Sequence, residues 1–205
     1  MLHFIVSQDY LSLLAPGGIL FAFIATVFAT AGLCDFLPKD AGREFAHDGK
    51  LSAGKPRGAG IIFVLAFTAA ALLFAPLNAE IVIYLILTCI SMVTGFLDDA
   101  SQTSWGEFRK GFLDLCVAVL VAMTFLTYNS NEIELLHMHL VIPKPAFAVL
   151  AVILVWVSVN VTNCSDGVDG LSGTLTIITL MTIYILDRIL EAGQDFSFLI
   201  LLFVF

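Results

Sequence analysis

The stretch IVIYLILTCISMVTGFLDD, residues 81–99, contains the two features from which both the fold and the site can be inferred. No charged residue interrupts residues 81–97, and a membrane-spanning helix needs about 20 predominantly apolar residues. Asp98 and Asp99 follow this run directly. A carboxylate in hydrocarbon costs on the order of several kcal/mol unless it is paired, solvated or metal-bound. Two acids at the end of a predicted span are therefore a candidate functional site.

The whole chain has the composition of an integral membrane protein. Hydrophobic residues make up 60% of its 205 residues and charged residues 13%, and the mean hydropathy is +1.00. Charged residues alone account for about a quarter of a typical soluble domain. The net charge of −8 is carried largely by the segments between apolar runs, where the placement of charge matters more than its sum. We infer no nucleic-acid partner from it.

Six complete apolar runs of spanning length can be marked along the chain. They cover residues 17–34, 60–77, 81–97, 112–128, 146–161 and 171–186, and a seventh run begins near Phe196 and is cut off at Phe205. The sequence therefore predicts an all-α polytopic membrane protein with six complete transmembrane helices and a truncated seventh. We expect residues 1–205 to form a single integral-membrane domain that is incomplete at its C-terminus. Residues 128–145 are predicted to contain a short strand pair.

The basic residues predict which loops face the cytoplasm, because Lys and Arg accumulate in short cytoplasmic loops. The first and third loops contain Lys39, Arg43, Lys50, Lys55, Arg57, Arg109 and Lys110, whereas the loops of opposite parity contain Lys144 and Arg188. This distribution places the first, third and fifth loops in the cytoplasm and the N-terminus outside. The acidic pair then shares one membrane face with two other polar segments.

These two segments are GKPRGAG at residues 54–60 and NVTNCSDGVDG at residues 160–170. Carboxylate and amide oxygens suit a hard cation, and Mg²⁺ usually takes one or two carboxylates and completes its shell with water and substrate phosphate. A basic, glycine-containing loop supplies positive charge and accessible backbone N–H groups for phosphate oxygens. Together the three segments predict phosphoryl transfer.

Each feature also has a purely structural interpretation. Asp98 and Asp99 could be a solvated helix end, and Lys55 and Arg57 could be residues that merely set the topology. The Asp-Gly pairs of the second segment are ordinary turn sequences, and its asparagines could cap the next helix. If the chain has no functional site, every one of these structural interpretations must be correct.

The acidic segments resemble the motifs of the polyprenyl-phosphate N-acetylhexosamine-1-phosphate transferase family. Residues 95–99, GFLDD, are similar to the acidic motif of that family, and residues 160–170 are similar to its Asn-x-x-Asn-x-x-Asp-Gly-x-Asp-Gly segment. Within the family, residues 37–46 and 54–60 most resemble the members that use UDP-N-acetylmuramoyl-pentapeptide as donor. The resemblance extends over essentially the whole chain.

The resemblance implies a bacterial plasma-membrane enzyme whose site faces the cytoplasm. Its reaction transfers phospho-N-acetylmuramoyl-pentapeptide from UDP to undecaprenyl phosphate, with Mg²⁺ as cofactor, and gives UMP and the first lipid-linked peptidoglycan precursor. The resemblance also makes a homodimer an expectation. Because the family fold has more membrane helices and later motifs than this chain supplies, we expect the 205-residue chain by itself to be inactive.

The same resemblance implies a role for each motif residue. Asp98 is the base or orienter for the lipid phosphate. The implied catalytic residues are Asp98, Asp99 and Asp169; the implied substrate-binding residues are Lys55, Asn160, Asn163 and Asp166; the implied metal ligands are Asp98, Asp99 and Asn163.

Three alternative functions stay open. The sugar could be N-acetylglucosamine-1-phosphate, or the chain could be a non-catalytic membrane scaffold. The third alternative is a cation-coupled transporter, which predicts acids near the bilayer midplane and discontinuous helices related by an internal repeat. In this chain the motif acids stand at the ends of apolar runs and no repeat is visible, which favours the transferase.

Overall fold

The computed structural model describes residues 2, 5, 11–40, 53–101, 105–135, 138–165, 170–190, 199, 200 and 203. Within these residues the architecture is six α-helices, one turn of 3-10 helix (Cys34–Phe36) that continues the first of them, and one β-hairpin. The helices are α1 (Leu11–Leu33), α2 (Gly60–Phe74), α3 (Ala79–Ala100), α4 (Glu107–Tyr128), α5 (Lys144–Ser165) and α6 (Leu171–Ile189); the strands are β1 (Glu132–Leu135) and β2 (Met138–Val141). The predicted seventh run lies mostly outside the described residues.

Each of the six predicted apolar runs forms a helix. By length and composition, five helices can cross a membrane, in the segments Leu13–Phe36, Ala79–Ala100, Glu107–Tyr128, Lys144–Cys164 and Leu171–Ile189. The chain is therefore a multi-pass membrane protein built from helices, as predicted.

Helix α2 is shorter than its apolar run. It has 15 residues and is about 22 Å long at about 1.5 Å per residue, against a hydrocarbon core of about 30 Å. The reason is Pro76, which disfavours helical backbone at the residue before it. Ala75 accordingly ends the helix in an extended conformation, with φ −75° and ψ 152°.

Small residues lie where the helices pack, and large apolar residues lie outside. Helix α1 packs on α2 and α4 packs on α5. Ala70 and Ala71 of α2 are fully buried, whereas Phe28 of α1 is 74% exposed and Leu154 of α5 is 69% exposed. Large exposed apolar surfaces are rare on soluble proteins, and helices in membranes pack through small residues while their large side chains meet lipid. This distribution is the one expected of a membrane bundle.

The chain divides into two compact units. The first contains Met1–Leu77, Met92–Ser104 and Thr176–Phe205, and the second contains Asn78–Ser91 and Trp105–Leu175. In the first unit the rings of Phe21 and Phe74 meet with centroids 5.7 Å apart. In the second unit the rings of Phe125 and Phe147 stack at 5.7 Å.

The β-hairpin follows α4 directly and confirms the predicted strand pair. Its strands are antiparallel, with Glu132 opposite Val141 and Ile133 opposite Leu140. Asn131 closes the open end, because its Nδ2 donates to the carbonyl of Ile142 at 2.6 Å and its own carbonyl accepts from the Ile142 N–H at 3.3 Å.

A buried acid joins α3 to the end of α4 within the second unit. Glu80 is only 8% exposed, and its Oε1 accepts hydrogen bonds from Asn129 Nδ2 at 2.5 Å and from Tyr84 Oη at 3.2 Å. Asn78 fixes the start of α3, since its Oδ1 accepts from the backbone N–H of Ile81 at 2.8 Å in the manner of an N-cap. A buried polar group is tolerated when it is hydrogen-bonded.

We expect Glu80→Ala to destabilise the protein, because it removes the carboxyl oxygen that accepts from the Asn129 amide and from the Tyr84 hydroxyl. The loss of a buried hydrogen-bond acceptor costs about 1–3 kcal/mol, and it is measured as a lower midpoint of thermal unfolding in detergent. Glu80→Gln is the matched control, since it keeps Oε1 as an acceptor and should lose clearly less. Equal midpoints for the two variants would contradict the role of the carboxyl oxygen.

Candidate functional site

The site begins with a short pairing of two loop segments that join α1 to α2. Residues 38–40 lie antiparallel to residues 54–57, with Lys39 opposite Pro56. Three backbone hydrogen bonds hold them: Asp40 N to Lys55 O at 2.9 Å, Gly54 N to Asp40 O at 2.8 Å, and Arg57 N to Pro38 O at 2.7 Å. Residues two apart on extended backbone share a face, so Lys55 and Arg57 lie on the same side of this pairing. We call these two paired segments the loop clasp.

Gly58 lets the chain turn from the loop clasp into α2. Its φ is +70°, and a Cβ at this position would lie 2.9 Å from Phe96 Cδ2 and 3.7 Å from Asp99 Cβ. Left-handed backbone and a close neighbour both exclude a side chain here. The absence of a Cβ therefore allows the loop to approach the end of α3.

The acidic pair occupies the last turn of α3. Asp98 and Asp99 are half-buried, and the turn is closed by Ser101, whose N–H and Oγ both donate to the carbonyl of Asp98, at 3.1 and 2.6 Å. Successive residues of a helix point about 100° apart. The two carboxylates therefore leave the helix in different directions.

An ion pair ties the loop clasp to this helix end. Arg57 Nη2 donates to Asp99 Oδ1 at 3.0 Å, and the side chains of Arg57 and Asp99 are 42% and 31% exposed. The partners are 42 residues apart in sequence. The contact brings the predicted basic loop and one acid of the predicted motif together within the first unit.

The two predicted asparagines lie inside α5, because this helix runs to Ser165 rather than ending with the apolar run at Val161. They do not cap the next helix. Asn160 is half-buried and its Nδ2 donates to the carbonyl of Trp156 at 2.8 Å. Trp156 is itself fixed, since its Nε1 donates to the carbonyl of Gly111 on α4 at 2.8 Å. Asn163 is exposed one turn further on, on the same helix face as Asn160.

The remaining predicted site residues are placed as follows. Lys55 is exposed in the loop clasp. Asn160 and Asn163 belong to the second unit, whereas Lys55 belongs to the first. Asp166 and Asp169 lie outside the described residues.

The donor atoms at the acidic pair fit Mg²⁺ by their chemistry. Within the described part of the chain, no group of three or more His, Cys, Asp or Glu side chains is arranged to hold a metal. Mg²⁺ does not need such a cage, because it is usually held by one or two carboxylates and by substrate phosphate. Asp98 and Asp99 offer oxygen donors alone, and Arg57 engages one oxygen of Asp99.

From the sequence alone, Arg57 is assigned no role beyond setting the orientation of the chain in the membrane. Its contact with Asp99 depends on the folded loop, and the available signal was weak: a second basic residue two positions after Lys55, between Pro56 and Gly58. The sequence likewise indicates no role for Phe96, whose ring is what a Gly58 side chain would meet.

The chain belongs to glycosyl transferase family 4, whose model matches residues 81–205. The matched residues include the acidic pair at the end of α3 and the whole segment 160–170. The loop clasp lies before them.

Similar curated proteins carry the name phospho-N-acetylmuramoyl-pentapeptide-transferase, which confirms the predicted resemblance. The one from Treponema pallidum (strain Nichols) is 39% identical over 171 residues, which are 78% of this chain and 47% of the relative. The one from Symbiobacterium thermophilum is 30% identical over 159 residues, which are 69% of this chain and 46% of the relative. The one from Gloeothece citriformis is 33% identical over 138 residues, which are 62% and 38% of the two chains. The chain spans about half the length of the first two relatives and less of the third.

We expect Gly58→Ala to destabilise the protein more than Gly54→Ala does. Both glycines have positive φ, at +70° and +85°, but a Cβ at Gly54 would meet nothing within 4 Å. Gly54→Ala therefore costs backbone strain of about 1–2 kcal/mol, and Gly58→Ala costs this strain plus the displacement of Phe96. The measurement is the midpoint of thermal unfolding in detergent for both variants. Equal losses would show that Phe96 does not press on the loop.

Proposed function

We propose that the protein transfers phospho-N-acetylmuramoyl-pentapeptide from UDP-N-acetylmuramoyl-pentapeptide to undecaprenyl phosphate and releases UMP. The observation that carries this proposal is the 39% identity to the Treponema pallidum transferase over 78% of the chain. The alignment with the family includes both acidic segments. The ion pair between the loop clasp and Asp99 supports the site, since it places positive charge beside a motif acid.

The chemistry of the two substrates suits a site at the membrane boundary. The donor is water-soluble and the acceptor lies in the bilayer, so the reacting groups meet where helices end. Asp98 and Asp99 stand in the last turn of such a helix. The basic residues of the first and third loops support a cytoplasmic position for this end, with the N-terminus outside.

In the proposed reaction an oxygen of the lipid phosphate attacks the sugar-linked phosphorus of the donor. The new P–O bond joins lipid to sugar phosphate, the bond between the two donor phosphates breaks, and its electron pair leaves with UMP. Positioning and neutralisation of phosphate charge supply most of the catalysis in such transfers. Asp98 orients the lipid phosphate or accepts its proton, Asp99 supports the site or the metal, and Lys55 binds substrate phosphate.

The second acidic segment serves the nucleotide-sugar in this proposal. Asn163 is a ligand for the metal or the diphosphate, and Asn160 contacts substrate through its amide. Asp166 and Asp169 contact the nucleotide-sugar or orient its ligands. Asp98, Asp99 and Asn163 are the residues that would hold Mg²⁺, and the ion would supply neutralisation of phosphate charge.

We expect Asp98→Asn to lower turnover by about a hundredfold or more, the usual contribution of a positioned acid or base. The measurement is UMP release from UDP-N-acetylmuramoyl-pentapeptide and undecaprenyl phosphate in detergent. It uses the whole protein expressed from its own gene, because the 205-residue chain by itself is expected to be inactive. Glu132→Gln is the matched control: it makes the same carboxylate-to-amide change at an exposed position of β1 and should leave turnover unchanged.

Two results would contradict this assignment. Near-normal turnover of both Asp98→Asn and Asp169→Asn, in protein with a wild-type unfolding midpoint, would remove the motif acids from the mechanism. Release of UMP from UDP-N-acetylglucosamine in place of the muramoyl donor would keep the chemistry but change the sugar.

The metal makes a separate prediction. Excess chelator should abolish UMP release, and added Mg²⁺ should restore it, because the diphosphate charge is otherwise not neutralised. Unchanged UMP release in chelator would show that the basic residues neutralise the diphosphate charge without a metal. Thermal unfolding in chelator checks that the loss does not come from unfolding.

A further inference from the structure

The position of Arg57 is fixed by specific backbone contacts. A residue that only sets the membrane topology would not need such contacts. A topology residue needs its charge on the correct membrane face. The backbone N–H of Arg57 instead donates to Pro38 O at 2.7 Å, and the adjacent bridge pairs Lys39 with Pro56. Gly58, with its φ of +70° and its closeness to Phe96, brings this segment against α3. The guanidinium therefore has a defined position beside the acidic pair.

The bond between Arg57 and Asp99 is one that a stronger anion can replace. Side chains that are 42% and 31% exposed form a surface ion pair, and such pairs contribute little to stability. A guanidinium presents several N–H donors in a rigid fork that matches phosphate oxygens in pairs. One terminal nitrogen, Nη2, makes the contact with Asp99 Oδ1.

We propose that Arg57 binds the diphosphate of the UDP-sugar donor, and that Asp99 holds its guanidinium in place until the donor arrives. This inference rests on the proposed function and adds a second phosphate-binding residue beside Lys55. The carboxylate of Asp99 and the diphosphate are both anions, so they compete for the same cation. Donor binding then releases Asp99 to act on the metal or the acceptor.

The exchange predicts opposite effects for the two partners on donor affinity. Arg57→Gln should weaken binding of UDP-N-acetylmuramoyl-pentapeptide about tenfold or more, the usual loss for a hydrogen bond to a charged group. Arg57→Lys keeps the charge and should lose less. Asp99→Asn should leave donor binding unchanged or tighten it, because the competing anion is gone, while turnover falls. The double variant should bind the donor as weakly as Arg57→Gln does.

The experiment measures equilibrium binding of the donor to detergent-solubilised protein in excess chelator, together with kcat and KM for UMP release in Mg²⁺. The chelator removes the proposed metal role of Asp99 from the comparison of donor affinities. Lys144→Gln is the matched control, because it removes one exposed positive charge from the first residue of α5, which is predicted to lie on the other membrane face. It should leave binding and KM unchanged. Unfolding midpoints for each variant separate binding from folding.

The outcomes distinguish this inference from a purely structural ion pair. A pair that serves merely to fix the loop to α3 predicts weaker donor binding for both Arg57→Gln and Asp99→Asn, and that result would overturn the exchange. If the wild type is active and the Arg57→Gln variant keeps wild-type donor affinity and KM, the role of Arg57 is overturned. The proposed function then still stands. A folded wild type that neither binds the donor nor releases UMP would overturn the proposed function, and this inference with it.

Discussion

The hydrocarbon core offers no hydrogen-bonding partner, and the rest of the structure depends on this constraint. Backbone groups are satisfied inside helices, and hydroxyl groups return to their own helix: Thr88 donates to Tyr84 O at 2.9 Å and Thr124 to Leu120 O at 2.8 Å. The buried Glu80 is met by Asn129 and Tyr84. Charged groups that must act on a substrate are consequently placed at helix ends, where water and lipid headgroups begin.

The same constraint changes what holds the helices together. Lipid tails are as apolar as leucine, so burial of large side chains between helices gains little. The helices are held together instead by the close approach of small residues, such as Ala70 and Ala71 on α2 and Ala118 on α4. Packing of this kind fixes helix axes but leaves the loops to set the positions of polar side chains. The loop clasp does so for Lys55 and Arg57, with three backbone hydrogen bonds between segments that flank residues 41–52.

The helices could be predicted from the sequence because hydrocarbon thickness fixes their length, and the strand pair after α4 was predicted from its polar and apolar pattern. The helix ends were less predictable. Pro76 ends α2 before its apolar run does. Helix α5 continues past Val161 to Ser165, so its end could not be read from where the apolar run stops. The acidic pair could be predicted because it directly follows an apolar run of spanning length.

The contact of Arg57 with Asp99 could not be predicted, because its partners are 42 residues apart and local sequence patterns carry no information on that pairing. Asp166 and Asp169 lie outside the described residues, so their predicted roles stay predictions.

An arginine and a carboxylate side by side solve a physical problem of any site that handles phosphates at a membrane boundary. Two phosphate-bearing substrates bring several negative charges together, and a site without cations would repel them. A cation left without a partner in a partly apolar setting carries a desolvation cost of its own. Pairing Arg57 with Asp99 at 3.0 Å keeps the positive charge compensated and correctly placed before any substrate is present. Because the pair is partly exposed, the energy needed to separate it is small. If the site binds phosphate as proposed, its cation is therefore already in position before the substrate arrives, and little energy is needed to separate Arg57 from Asp99.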